Sequence, residues 1–198
     1  MLAREHTLRM SLANATTHRW TIESFERLLE LGVFTEDSRV ELIEGEIIAM
    51  PPMLTPHASA VTRSTKVFVR LFGESHDVRV QLPFNIPDYS QPEPDLALTP
   101  VVEGEIPHPT SADLIVEVAD STLAYDRTEK ASLYARAGVR DYWIINVISS
   151  RLEVYRDPIA DPSQPFGHGF GSCTTYLLES EVAPLFAPDR PVAVKSLF

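Results

Sequence analysis

The sequence predicts an α/β fold in which a β-sheet is sandwiched by a few helices. Three observations carry this prediction. Asp113 to Ala119 is an almost unbroken apolar run, as expected of a central strand covered on both faces. A helical pattern from Asp126 to Ala137 follows it and ends at Gly138. Two strand-like segments come next, Asp141 to Val147 and Leu152 to Arg156, joined by Ser149-Ser150. Helices set between strands in this order build a layered α/β architecture.

The remaining elements follow in chain order. Thr21 starts a helix that runs to Leu31, with Ile22, Phe25, Leu28 and Leu29 on one stripe and Gly32 as its C-cap. Arg39 to Met50 reads as a β-hairpin turning at Glu44-Gly45. Pro51, Pro52 and Pro56 then break the chain, and Thr55-Pro56 is an N-cap and first-turn pair for a helix from His57 to Phe72. Its apolar face comprises Ala58, Val61, Phe68, Leu71 and Phe72. Val78 to Leu82 and Asp95 to Thr99 are short strands separated by a proline-rich connection. The segment from Asp157 to Ser172, rich in Pro and Gly, is expected to be an exposed loop, with a last strand at Cys173 to Leu178.

A chain of 198 residues is long enough for one well-buried core and short for two. The expected division is a flexible arm over residues 1–17 and a single domain over residues 18–198. No apolar run reaches the roughly 18 residues that a membrane helix needs. Met1 to Ala15 is polar and mixed, without the apolar core of a signal peptide, so a cytoplasmic location is expected. The single cysteine, Cys173, excludes an internal disulfide framework and a thiolate zinc site. A net charge of −11 weighs against general duplex binding, which draws its affinity from phosphate neutralisation. Only Arg63, Lys66 and Arg70, at helical spacing, form a modest basic cluster.

Three residues stand out chemically. Glu117 interrupts the apolar run, and a carboxylate in such a strand is costly to bury unless it is paired or metal-bound. Alternation places Ile115, Glu117 and Ala119 on one face and Leu114, Val116 and Val118 on the other. The plain alternative is a strand-end acid that reaches solvent or an arginine. Asp95 opens the strand after Pro94, where an aspartate is commonly a turn or cap residue. Two neighbouring strands that each carry one acid can nevertheless aim both carboxylates at one spot, and oxygen-rich sites of that kind suit Mg²⁺ or Mn²⁺. Lys130 shares a helical face with Leu133, Tyr134 and Ala137, so it either snorkels to solvent or is held inward for a purpose.

A wider set of residues carries a resemblance. Glu41-Leu42-Ile43-Glu44-Gly45-Glu46, His57, Pro94-Asp95, Val116-Glu117-Val118, Lys130 with Tyr134, and Ala137-Gly138-Val139 before Asp141-Tyr142-Trp143 together resemble the Uma-type restriction endonuclease family of the PD-(D/E)XK nuclease superfamily. The likeness covers roughly residues 18–157 and implies a restriction-endonuclease-like mixed sheet flanked by helices, with an N-terminal helix and hairpin. It implies a metal-dependent endonuclease acting on DNA. Asp95 and Glu117 would hold Mg²⁺ or Mn²⁺, with the backbone carbonyl of Val118 as a further ligand. The superfamily's usual lysine would stand two residues after Glu117, where this chain has Ala119, and the resemblance passes its role to Lys130. Glu41 would add an acid and His57 would join the site. Against these stand a solvent-exposed strand glutamate and a capping or surface histidine. Tyr142 and Trp143 are expected to fill the core, with Trp143 as a base-stacking platform the alternative.

The rival from another class is a nuclease fold that binds a nucleic acid or a protein without catalysis. No Gly-x-Ser-x-Gly, His-Glu-x-x-His or phosphate-binding glycine loop points to a different hydrolase. A homodimer would suit cutting of both strands, with strand edges near Leu152 to Tyr155 or Cys173 to Leu178 as contacts.

Overall fold

The computed structural model describes residues 17–35 and 38–198; the arm expected at residues 1–17 lies, apart from Thr17, outside them. Helix α1 spans Ile22–Glu30, and Thr21 caps it by accepting the Ser24 N–H. Gly32 at φ +67° ends it, with Gly32 N–H bonded to Leu29 O and Val33 N–H to Leu28 O, the paired bonds of a Schellman stop. Of the expected apolar stripe only Phe25 is buried.

Strands β1 (Val40–Ile43) and β2 (Glu46–Ala49) form the hairpin. Glu44 and Gly45 both adopt positive φ, as a two-residue turn between twisted strands requires. Helix α2 spans Thr55–Phe72. Thr55 does not cap it: Leu54 holds the cap position, and its carbonyl accepts the Ala58 N–H at 3.0 Å. Ala60, Val61, Ser64, Val67, Phe68 and Phe72 face inward, so the buried stripe is rotated from the expected one and omits Ala58.

The main sheet has six strands in the order β3-β4-β5-β6-β7-β8. They are β3 (His76–Val80), β4 (Leu96–Pro100), β5 (Leu114–Ala119), β6 (Asp141–Asn146), β7 (Arg151–Ala160) and β8 (His168–Tyr176). Every neighbouring pair is antiparallel except β5 and β6. That parallel pair needs a crossover, and helix α3 supplies it. It starts at Leu123–Tyr125, passes through a π-helical turn at Asp126–Lys130 and continues as Ala131–Arg136. The helix therefore begins earlier than its apolar periodicity indicates.

Two expectations are corrected here. The segment Asp157 to Ser172 is largely strand, because β7 and β8 pair from Leu152↔Tyr176 out to Ala160↔His168. Beyond Arg156 strand β7 has no β6 partner, so one side of it needs no donors and Pro158 is tolerated. For the same reason Leu152 to Tyr155 is no free edge: β6 and β8 flank it on both sides, and β8, with Cys173, is the edge.

Alternation along the strands divides the core as expected. Leu114, Val116 and Val118 join Phe68, Phe72, Trp143 and the C-terminal Val192, Val194 and Leu197 on one face. Ile115 and Ala119 join Leu133, Tyr134, Tyr142 and Phe84 on the other. Strands β9 (Glu181–Val182) and β10 (Val192–Ala193) and a 3₁₀ turn at Val194–Leu197 complete the first layer. Tyr142 and Trp143 are fully buried, so Trp143 is core and not a stacking platform. Among the described residues, no helix is long and apolar enough to cross a membrane.

Candidate active site

Strands β4 and β5 set the site. Their ladder ends at the pair Leu96↔Val116, and beyond it side chains take over the bonding. Asp95 N–H donates to Glu117 Oε2 at 3.1 Å, and Val118 N–H donates to Asp95 Oδ2 at 2.8 Å. Each acid thus holds the backbone of the neighbouring strand, and the two carboxylates are locked side by side. Gln81, at the end of β3 with positive φ, donates to Asp95 Oδ1 at 3.0 Å. From the first turn of α2, His57 Nε2 stands 3.0 Å from Asp95 Oδ2, while its buried Nδ1 has no partner among the described residues.

Lys130 enters from α3 and is buried, not snorkelling. Its Nζ donates to Glu41 Oε1 at 2.9 Å and to Glu117 Oε1 at 3.3 Å. Glu41 Oε2 lies 2.7 Å from the same nitrogen without a hydrogen bond directed at it. Glu41 is therefore a buried acid, not an exposed strand glutamate; its Oε1 also accepts the Glu93 N–H at 3.0 Å. One turn after Lys130, the Tyr134 hydroxyl donates to Glu117 Oε1 at 2.8 Å. Asp95, Glu117, Lys130, Glu41 and His57 are thus brought together.

Among the described residues, the site carries more negative charge than its cations balance. Six carboxylates, those of Glu41, Glu93, Asp95, Glu117, Asp120 and Asp126, line the cleft with Arg39 and Lys130. Burial pushes the Glu117 carboxyl up to about 8, against the pull of Lys130 and with the repulsion of Asp95, Asp126 and Glu41. Burial also opposes the charge on Lys130, but Glu117 and Glu41 outweigh it and hold the ammonium above the usual lysine range. The two partners of Lys130 are unequal. Glu41 presents both oxygens and takes the ion pair; Glu117 shares the lysine at longer range.

This arrangement fits a hard divalent cation. Among the described residues, no group of three or more His, Cys, Asp or Glu side chains stands ready as a closed metal cage. Mg²⁺ does not need one, since it is usually held by one or two carboxylates and keeps several waters. Asp95 and Glu117 supply two buried carboxylates to the lining of a cleft of about 50 Å³. That space admits a few waters or a hydrated ion. Val118 N–H points toward Asp95, and the N–H and C=O of one strand residue point to the same side. The Val118 carbonyl is thereby aimed at the same end of β4.

The residues outside the expected set are Asp126, Tyr134, Gln81 and Glu93. Asp126 is buried in the π turn and lines the cleft, although in sequence it reads only as a helix start. Helical spacing placed Tyr134 on the face of Lys130 but gave it no role; nothing local marks Gln81 or Glu93.

Residues 22–170 match the Uma2 family, described as "Putative restriction endonuclease". No curated protein matches the chain. A crystal structure of "a putative nuclease belonging to DUF820" from Anabaena variabilis superposes with a TM-score of 0.66 at 20% identity, covering 90% of this chain and 97% of that one. At that identity the likeness establishes a shared fold. With three quarters of its length matched by the family's sequence pattern, the chain is a member of the Uma2 family of restriction-endonuclease-like proteins.

Proposed function

We propose that this protein is a metal-dependent endonuclease that hydrolyses phosphodiester bonds of DNA. The carrying observation is the mutual clasp of Asp95 and Glu117 across neighbouring strands, with the Lys130 ammonium 3.3 Å from Glu117. Asp95, Glu117 and the Val118 carbonyl would hold Mg²⁺ or Mn²⁺, which when bound supplies Lewis acidity and a water of lowered pKa.

The chain's own residues do the rest. Lys130 places a fixed positive charge at the cleft, where charge builds on the phosphoryl oxygens in the transition state. Glu41 fixes the position of that ammonium through both of its oxygens. His57, Gln81 and the Val118 N–H orient the Asp95 carboxylate, and Tyr134 orients that of Glu117.

Helix α2 supports a nucleic-acid substrate despite the net charge of −11. Its 18 residues contain no Asp or Glu, and Arg63, Lys66 and Arg70 are exposed along it. Met53 and Leu54 line both the cleft and a groove that continues past Thr62 to Arg63 and Lys66. A backbone leaving the cleft along this groove meets positive charge. A cytoplasmic location and a homodimer with one site per subunit belong to the same proposal.

The test is cleavage of plasmid and oligonucleotide DNA with Mg²⁺ or Mn²⁺ by wild type, Asp95→Ala, Glu117→Gln and Lys130→Ala. The expected outcome is cleavage by wild type and a loss of about a thousandfold or more in each variant. Equal activity in all four proteins would refute the site, and no cleavage by wild type would favour a binding module instead.

A further inference from the structure

Asp126 has a chemistry that the proposed site does not yet use. It lies in the π-helical turn Asp126–Lys130, where the Ala131 N–H reaches back five residues to Asp126 O. The Tyr142 hydroxyl donates to the same carbonyl at 2.9 Å, securing the widened turn from β6. This turn buries Asp126 and Lys130 on one side while Arg127 and Thr128 stay exposed. An aspartate three per cent exposed at a helix start is unusual, because such residues normally sit in solvent and cap N–H groups.

The carboxylate is only half engaged. Thr122 Oγ1 donates to Asp126 Oδ2 at 2.7 Å, and no other hydrogen bond to the side chain occurs among the described residues. Asp126 lines the same cleft as Asp95, Glu117 and Lys130. The groups that act on it are Lys130 from its own helix, Asp95 at the head of β4, Glu41 from β1, Glu117 from β5 and the Tyr142 hydroxyl from β6. Burial, with the repulsion of Asp95 and Glu41, raises its carboxyl to about 6 despite Thr122 and Lys130. A base of that strength is well matched to proton transfer near neutral pH.

We propose that Asp126 is a further catalytic residue, the general base for the water that attacks phosphorus; this rests on the nuclease reading of the cleft. As the water oxygen bonds to phosphorus, one of its O–H bonds breaks and the proton passes to the free oxygen of Asp126. The bond from phosphorus to the leaving sugar oxygen breaks, and that oxygen takes a proton from solvent. Asp126 then releases its proton to solvent. Thr122 holds Oδ2 and so leaves the other oxygen to receive the proton.

The experiment compares wild type with Asp126→Asn, Asp126→Glu and Thr122→Val in plasmid cleavage, in Mn²⁺ binding by calorimetry and in thermal melting. Asp126→Asn is expected to lose about a hundredfold or more in kcat, while KM and Mn²⁺ affinity stay at the wild-type level. Asp126→Glu is expected to regain part of the rate. Thr122→Val, which keeps the carboxylate, is expected to lose about tenfold in kcat; it carries the test if Asp126→Asn does not fold. Unchanged kcat in these variants, with wild type active, overturns the assignment and leaves the metal site standing. A fall in Mn²⁺ affinity that matches the fall in rate also overturns it, since Asp126 would then be a ligand. An inactive wild type removes the nuclease reading itself and this role with it.

Discussion

Asp141 and Glu117 are both buried strand carboxylates, one strand apart, and they have opposite fates. Asp141 is saturated. Its oxygens accept from Trp143 Nε1 at 2.8 Å, Arg156 Nε at 2.9 Å and the Leu185 N–H at 2.8 Å, and the Arg156 guanidinium matches its charge. Glu117 accepts from Tyr134, Lys130 and the Asp95 N–H, but its lysine belongs chiefly to Glu41, and three more acids face it. Burial alone therefore marks neither structure nor function. A carboxylate neutralised within the chain ties the fold together; one left with excess negative charge at a cleft is, on the proposed reading, the place for a cation.

The largest effect that separates the two is on stability. Asp141→Asn leaves Arg156 without its anion and weakens the tie to the C-terminal segment at Leu185, so urea unfolding is expected to show a loss of about 3 kcal/mol. Glu117→Gln is expected to keep or raise stability at pH 8 while abolishing cleavage. Equal destabilisation by both substitutions would erase the distinction.

Stability against pH sharpens the comparison next. Folding raises the Glu117 carboxyl from 4.5 to about 8, so between those values the folded protein binds more protons than the unfolded chain. Its contribution is full below pH 4.5 and is lost as pH rises through about 8. The metal-free protein should therefore weaken over this range, by at most about 1.4 kcal/mol per pH unit from this group. Denaturant melts from pH 5 to 8.5 should show that slope in wild type, and in Glu117→Gln should lose it between pH 7 and 8.5 while keeping the part below that comes from Asp126. Excess Mn²⁺ should reverse it, because a cation binds the deprotonated form.

The smallest effect concerns the hydroxyl that orients Glu117. Tyr134→Phe removes one hydrogen bond and little volume, and Mn²⁺ affinity by calorimetry is expected to fall about tenfold. Affinity unchanged within error would mean that Lys130 and the Asp95 N–H suffice to hold the carboxylate.

Much of the fold was legible because its signals are local. The alternation across Leu114–Ala119 assigned each side chain to the correct face, and Glu44-Gly45 announced the hairpin turn through its backbone demands. The long β7–β8 ribbon was not legible. Its Pro158, Gly169 and Gly171 carry the composition of a loop, and only the absence of a β6 partner past Arg156 makes a strand possible there. Likewise Thr55 carries the chemistry of a cap, yet the helix starts one residue earlier.

By itself, the sequence determined which residues could carry chemistry: a carboxylate inside an apolar strand, an acid at the start of another, and a lysine on the inward stripe of a helix. Those are consequences of period-two and helical geometry, which act over a few residues. Only the tertiary structure decided that Glu41, in a hairpin 89 residues away, would seize Lys130. It alone turned Asp126 inward through a π turn secured by Tyr142, and it alone left Glu117 short of positive charge. Charge balance in a cleft is a sum over groups distant in the chain, and only the packing of strands and helices brings them within range.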